Sequence, residues 1–259
     1  MLFRSLVRPT VFPHAAYTCT TRILEDAYAL AEEYDLIFQI HLSETASEVE
    51  QIRKDHNMTP VEYLDSLGCL SRRTLAAHCV VLDDAEIEVL ASRKVSVSHN
   101  AESNMKLASG IAPVPKMIRA GINVSVGTDG CASNNNLDII SEISTVAKLH
   151  KISSMDPTVL DECTALALVT ENGARALGFS GGRLERGLPA DITVLDGRAP
   201  NMVPVHNPVS HVIYAATGGN VKDVIIDGRV VVKNYASLTV DEDALIRECR
   251  AIQEHISRG

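Results

Sequence analysis

The chain has 259 residues, 46% of them hydrophobic and 22% charged, with a formal net charge of -9. That is enough chain for one large domain or a domain with an appendage, and the acidic balance without a basic stripe argues against nucleic acid as a partner. No apolar run approaches the roughly 20 residues of a membrane span, and MLFRSLVRPT is too short for a secretory hydrophobic region, so a soluble cytoplasmic protein with no membrane partner is expected.

In chain order, a first short strand is expected near Leu6 to Phe12, then an amphipathic helix from about Thr20 to Tyr34. The run LIFQIHL (36–42) reads as a strand, followed by helices over Ala46 to Asn57 and Pro60 to Leu67. Further strands are expected at 74–80, 94–99 and 123–129, separated by helices such as Asp83 to Ser92 and Pro113 to Ala120. Strand then helix, repeated, means parallel β/α units. After Asp129 the pattern predicts a helix from Leu137 to Lys151 and another from Pro157 to Leu177 capped by Gly178. Beyond Gly181 the texture changes. DITVLDG (191–197), HVIYA (211–215) and DVIIDGRVVVKN (223–234) read as short antiparallel strands with an Asp227-Gly228 hairpin turn, and an amphipathic helix closes the chain from Val240 to Ser257. The strands fall short of the eight of a closed β/α barrel. Either the fold is different or the chain is the C-terminal portion of something longer.

Chemistry-bearing residues sit where the strands end. In parallel β/α folds functional groups gather at the C-terminal strand ends, and His41, His78 and Asp129 each follow a short apolar run. Imidazole is a good zinc or iron ligand, and in His41-Leu-Ser-Glu44 a carboxylate just past the strand end could move a proton of a metal-bound water. Taken alone, that motif is more often a core histidine followed by a helix-capping acid, and His78 in Ala76-Ala77-His78-Cys79 more often a satisfied interior residue than a ligand. Asp129, flanked by Gly127 and Gly130 after a Val-rich strand, points to function, because an ionised carboxylate there is costly unless paired or metal-bound. Gly178-Phe-Ser180-Gly-Gly182 follows a helical stretch, not a strand, and is read as a loop instead of a nucleophile elbow. The six cysteines form no C-x-x-C pair and are read as reduced packing residues.

Taken together, PHAAYTC, HLSET, AAHCV, VSHNAESNMKLASGIAPV, GTDGCASNNNLD and GRLERGLPADITVLDG occur in the order of the amidohydrolase superfamily. The chain most resembles its S-adenosylhomocysteine and methylthioadenosine deaminases, with chlorohydrolases and guanine deaminases behind them. The resemblance implies part of a TIM-type (β/α) barrel over 1–180, then a composite β-sandwich segment and a C-terminal helix over 181–259. It implies one divalent metal ion, zinc or iron, with His41 and Asp129 as ligands and Asp129 also taking a proton from the bound water. Glu44 would shuttle protons to the substrate, His78 would orient the attacking oxygen, and His14 and Ser133 would contact a small nucleoside. His99 is similar to a family position that lines the pocket, and a structural role for it stays open. The implied activity is hydrolytic deamination of an adenine nucleoside, with another amidohydrolase activity or a non-catalytic fragment as rivals; self-association is left open. The family's H-x-H ligand pair is absent, since no two of the nine histidines are two apart, so the chain is expected to correspond to about the C-terminal three-fifths of a family protein.

Overall fold

Five short strands pair in parallel and in chain order: β1 (Thr10–Val11), β2 (Ile37–Leu42), β3 (Thr74–His78), β4 (Ser96–His99) and β5 (Asn123–Val126). This computed structural model describes residues 7–257; Leu6, the first residue of the expected N-terminal strand, lies outside them. Neighbours in sequence are neighbours in the sheet, as in an arc of a β/α barrel, whereas a doubly wound sheet reverses its strand order. The fold class read from the sequence thus holds.

β2 alternates strictly. Phe38, Ile40 and Leu42 are fully buried, while Gln39 and His41 lie on the other face. Register carries that second face across the sheet, from His41 to Ala77, Ser98 and Ser125, so a row of small residues runs beside the histidine. The connecting helices begin where local chemistry dictates. Thr20 caps α1 (Thr21–Glu33), which buries Leu24, Tyr28 and Ala31 along one stripe. Thr45 caps α2 (Ala46–His56), and α3 (Pro60–Ser66) and α4 (Asp84–Ser92) start with full capping boxes, Thr59 with Glu62 and Asp83 with Glu86. Two short helices, α5 (Ala101–Lys106) and α6 (Val114–Arg119), separate β4 from β5.

Beyond β5 lie α7 (Ile139–Ser154), α8 (Glu162–Val169) and α9 (Glu171–Ala176). The single helix expected over Pro157 to Leu177 is corrected to these last two: Asp161 caps α8 with hydrogen bonds to the Cys163 and Thr164 amides, and Thr170 breaks the run at φ -122°, ψ -93°. Gly178 does follow α9 in a left-handed conformation, φ +68°. Asn172 of α9 blocks the outer edge of β5, its Nδ2 donating to the Val124 carbonyl at 2.8 Å.

The chain divides into two compact units, the first ending at Gly182 and the second starting at Arg183. The second contains an antiparallel sheet of β6 (Ile192–Leu195), β7 (Val221–Ile226), β8 (Arg229–Lys233) and β9 (Ala236–Ser237). Asp227 and Gly228 both take positive φ, as a two-residue hairpin turn demands. HVIYA, expected as a strand, is instead the body of a helix, α10 (Pro208–Tyr214): Asn207 caps it with hydrogen bonds to the Val209 and Ser210 amides, and Pro208 occupies the first turn. The closing helix, α11 (Glu242–Ile256), starts on an Asp241 cap. The cysteine reading is also corrected. Cys69 and Cys79 are buried packing residues, whereas Cys131, Cys163 and Cys249 are exposed.

Candidate active site

At the C-terminal ends of β1, β2, β3 and β5 the chain turns abruptly. His14, His78 and Asp129 adopt φ of +68°, +71° and +63°, a left-handed conformation that costs a non-glycine residue on the order of 1–3 kcal/mol and concentrates at functional sites. Asp129 is not the last residue of its strand as expected but lies three positions past it, on the turn opened by Gly127. A Cβ at Gly127 would stand 2.8 Å from Ser98 Oγ and 2.9 Å from the side-chain amide of Asn100, so a larger residue there requires those side chains to shift.

These turns bring six of the expected residues together, His14, His41, Glu44, His78, Asp129 and Ser133. The ligand atoms of His41, His78 and Asp129 all lie within 4.8 Å of one another. The His14 ring centroid is 4.9 Å from that of His41, and the His41 amide donates to the His14 carbonyl at 2.8 Å, which extends the pairing of β1 with β2 past the end of β1. The exposed His14 side chain is steadied by Thr18, with Nδ1 2.8 Å from its Oγ1. Phe12 lies edge-on to His41 at 4.9 Å. Burial above all, then the neighbouring His78 and His14, pushes the His41 imidazole below its ordinary pKa.

His78 is almost fully buried, and its Nδ1 lies 2.9 Å from Asn104 Oδ1. With the proton on Nδ1 this contact is a hydrogen bond to an oxygen acceptor, and the Nε2 lone pair then faces the site. That Nε2 is 3.7 Å from Glu44 Oε2, while Ser109 Oγ donates to Glu44 Oε1 at 3.2 Å. The turn carrying Glu44 is held from beneath by Glu48, whose carboxylate accepts the Ser43 amide at 2.9 Å and the Glu44 amide at 2.7 Å. The hydroxyls of Ser103 and Ser133 converge on Asp129 Oδ2 at 2.7 and 2.6 Å. Burial alone would raise the Asp129 carboxyl, but Ser133, Ser103, the Gly130 amide and His78 outweigh it and hold the group below the usual carboxylate range.

Ser133, expected as a substrate contact, is thus engaged with Asp129. His99 turns elsewhere: 1% exposed, it places Nε2 3.1 Å from Nε2 of His150 on α7, and both Nδ1 atoms are buried without a partner. Sequence reasoning missed Glu48, Ser103, Asn104 and Ser109. The last three fall inside VSHNAESNMKLASG, where the adjacent Ser103 and Asn104 point to two different members of the trio.

Two imidazoles and a carboxylate at this spacing form a donor set that suits a zinc ion with an open coordination position. They sit at the C-terminal edge of a parallel β/α sheet, where β/α folds carry their functional groups. The chain belongs to the amidohydrolase family, whose model matches residues 2–231. It is 48% identical to a 5'-deoxyadenosine deaminase of Methanothermobacter thermautotrophicus over 93% of its own length and 56% of that protein's. It is 47% identical to a 5-methylthioadenosine/S-adenosylhomocysteine deaminase of Syntrophobacter fumaroxidans over 97% of its length and 58% of that protein's. Among solved structures, an adenosine deaminase from Xanthomonas campestris with bound zinc superposes with a TM-score of 0.93 at 40% identity, covering 96% of this chain and 57% of that one. An atrazine chlorohydrolase from Arthrobacter aurescens complexed with zinc matches with a TM-score of 0.83 at 28% identity, over 90% of this chain and 52% of that one. The chain therefore spans somewhat more than half the length of these relatives.

Proposed function

We propose that the His41, His78 and Asp129 trio is part of a metal centre, zinc or iron, for hydrolytic deamination of an adenine nucleoside such as 5'-methylthioadenosine, S-adenosylhomocysteine or 5'-deoxyadenosine. The observation that carries this reading is the convergence of the trio with Glu44 on one edge of the sheet, in a chain whose relatives are named as deaminases of those compounds. A divalent ion held by His41 and Asp129 would supply polarisation of a water at neutral pH. Everything else falls to the side chains. Asp129 accepts the proton that the attacking water gives up. His78, its Nε2 lone pair facing the site, orients the attacking oxygen. Glu44 delivers a proton to the ring nitrogen, takes up the water proton held by Asp129 and passes it to the exocyclic amine, so the bond from the ring carbon to that amine breaks as ammonia leaves; the remaining hydroxyl proton returns to Glu44 as the carbonyl forms. His14, exposed at the mouth of the site, contacts the nucleoside, and Ser133 reaches it from the Asp129 side.

The test is ammonia release from these three nucleosides, with guanine and atrazine as competitors for the assignment, alongside metal analysis of the purified protein. Ammonia from an adenine nucleoside with bound metal supports the reading. Turnover of guanine or atrazine alone would replace it with another activity of the family. Absence of both metal and turnover in this polypeptide would leave a non-catalytic chain.

A further inference from the structure

Two segments outside the trio hold its side chains in place: α5, which carries Ser103 and Asn104, and the loop 130–138, which carries Ser133. Glu142, in the first turn of α7, has no exposed surface and bonds to both segments. One carboxylate oxygen accepts the Glu102 amide of α5 at 3.0 Å, and the other accepts Asn134 Nδ2 at 2.9 Å. The residue preceding α5, Asn100, gives that helix no side-chain cap, so Glu142 satisfies its first-turn amide from another part of the fold. Asn134, itself buried, reaches on to Glu102 Oε2 at 3.4 Å, and Thr145 of α7 donates to Glu102 Oε1 at 2.8 Å.

A carboxyl is an expensive group to bury where an apolar side chain would pack. Burial, with the charge of Glu102 adding to it and the amide donors opposing, pushes Glu142 up to about 7. We infer that Glu142 is a positioning residue that locks α5 to the 130–138 loop, and so holds the Ser103, Asn104 and Ser133 groups that orient Asp129 and His78. The link from this lock to a metal rests on the reading of the trio as a metal centre.

Glu142→Gln tests it while keeping length and volume. In either orientation its amide sets one donor against either the Glu102 N–H or the Asn134 amide, so the bridge between the two segments is broken and neither braces the other. Hydrogen exchange on the metal-free protein at about pH 8, where Glu142 is ionised, should speed up by roughly tenfold or more in both 101–107 and 130–138 while the β7–β8 hairpin is unchanged. No change, a change in one segment only, or a uniform rise across the chain overturns the lock. Cobalt(II) titration followed by its visible absorption then tests the consequence. E142Q and S133A should each weaken binding by about tenfold, and the double variant by little more than either alone, because Ser133 is one of the groups that the lock holds. A multiplied loss of about a hundredfold would show independent effects and overturn the coupling. A wild-type protein with no cobalt band overturns the metal reading and the link to it, while the exchange result still decides the lock.

Discussion

Nε2 of His78 stands 3.7 Å from Oε2 of Glu44, so the last residue of β3 faces the acid in the turn after β2. That separation is too long for a hydrogen bond and short enough for both groups to bracket one small molecule, a water included. Glu44 also receives Ser109 on its other oxygen, and its backbone amide is pinned by buried Glu48. The carboxylate is thus aimed while one oxygen faces the site.

Changing Glu44 to Gln keeps the Ser109 contact and removes the carboxyl to which we assign the proton transfer. Ammonia release should fall by about 10²–10⁴-fold with bound metal retained, since general acid-base catalysis contributes on that scale. Parallel rate and metal measurements check it, and a variant with near wild-type turnover would remove Glu44 from the mechanism.

Asn104 Oδ1 lies 2.9 Å from His78 Nδ1, which we expect to hold the proton on that nitrogen. In Asn104→Ala the His78 Nδ1–H loses its acceptor inside a buried site, and turnover should drop by about 10–100-fold, the usual scale for groups that orient a site histidine. The direct measurement is the ¹⁵N spectrum of the imidazole. It should show Nδ1 protonated in the wild type and a mixture of tautomers in the variant; identical spectra would contradict the assigned role.

Gly127→Ala places a methyl group 2.8 Å from Ser98 Oγ and 2.9 Å from the side-chain amide of Asn100, both on or beside β4. Relieving those contacts moves the turn that carries Asp129. Denaturant unfolding should report a loss of about 1–3 kcal/mol, accompanied by weaker metal binding. Unchanged stability would mean that the turn has room the geometry denies.

Acid should act through His99 and His150. Burial foremost, then the neighbouring histidines for His99, pushes their pKa values down to about 3 and about 4. In the unfolded chain both titrate near 6.5, so the native protein binds fewer protons between those limits. The stability held by the neutral pair is therefore complete above about pH 6.5 and is lost as pH falls towards 4, by up to about 1.4 kcal/mol per pH unit for each histidine. His150→Gln should flatten the pH dependence of urea unfolding in that window by roughly one histidine's share. Equal slopes in the two proteins would sink the assignment.

The strands, their order and most helix starts were legible in the sequence because their determinants are local. Alternation in IFQIHL, the Thr59/Glu62 and Asp83/Glu86 boxes and the Asp227-Gly228 turn act within a few residues of themselves. The exception has a local cause as well: HVIYA carries a strand-like composition, and the Asn207-Pro208 start overrides it.

The order of the motifs, through the family resemblance, pointed to His14, His41, Glu44, His78, Asp129 and Ser133 as candidate site residues, but not to their arrangement. Which way a side chain leaves a strand end depends on left-handed turns at His78 and Asp129 and on partners from distant segments, Asn104 for one and Ser103 with Ser133 for the other. Periodicity carries no record of such pairings. It likewise gave no sign that His99 would turn to His150, or that Glu48 and Glu142 would be buried beneath the turns they hold. By itself the sequence determined the β/α architecture and the chemistry available to the site, since propensity, capping and composition are short-range. Only the tertiary structure decided which groups meet, because that depends on hydrogen bonds closed between residues far apart in the chain, in surroundings where an unpaired polar group is costly.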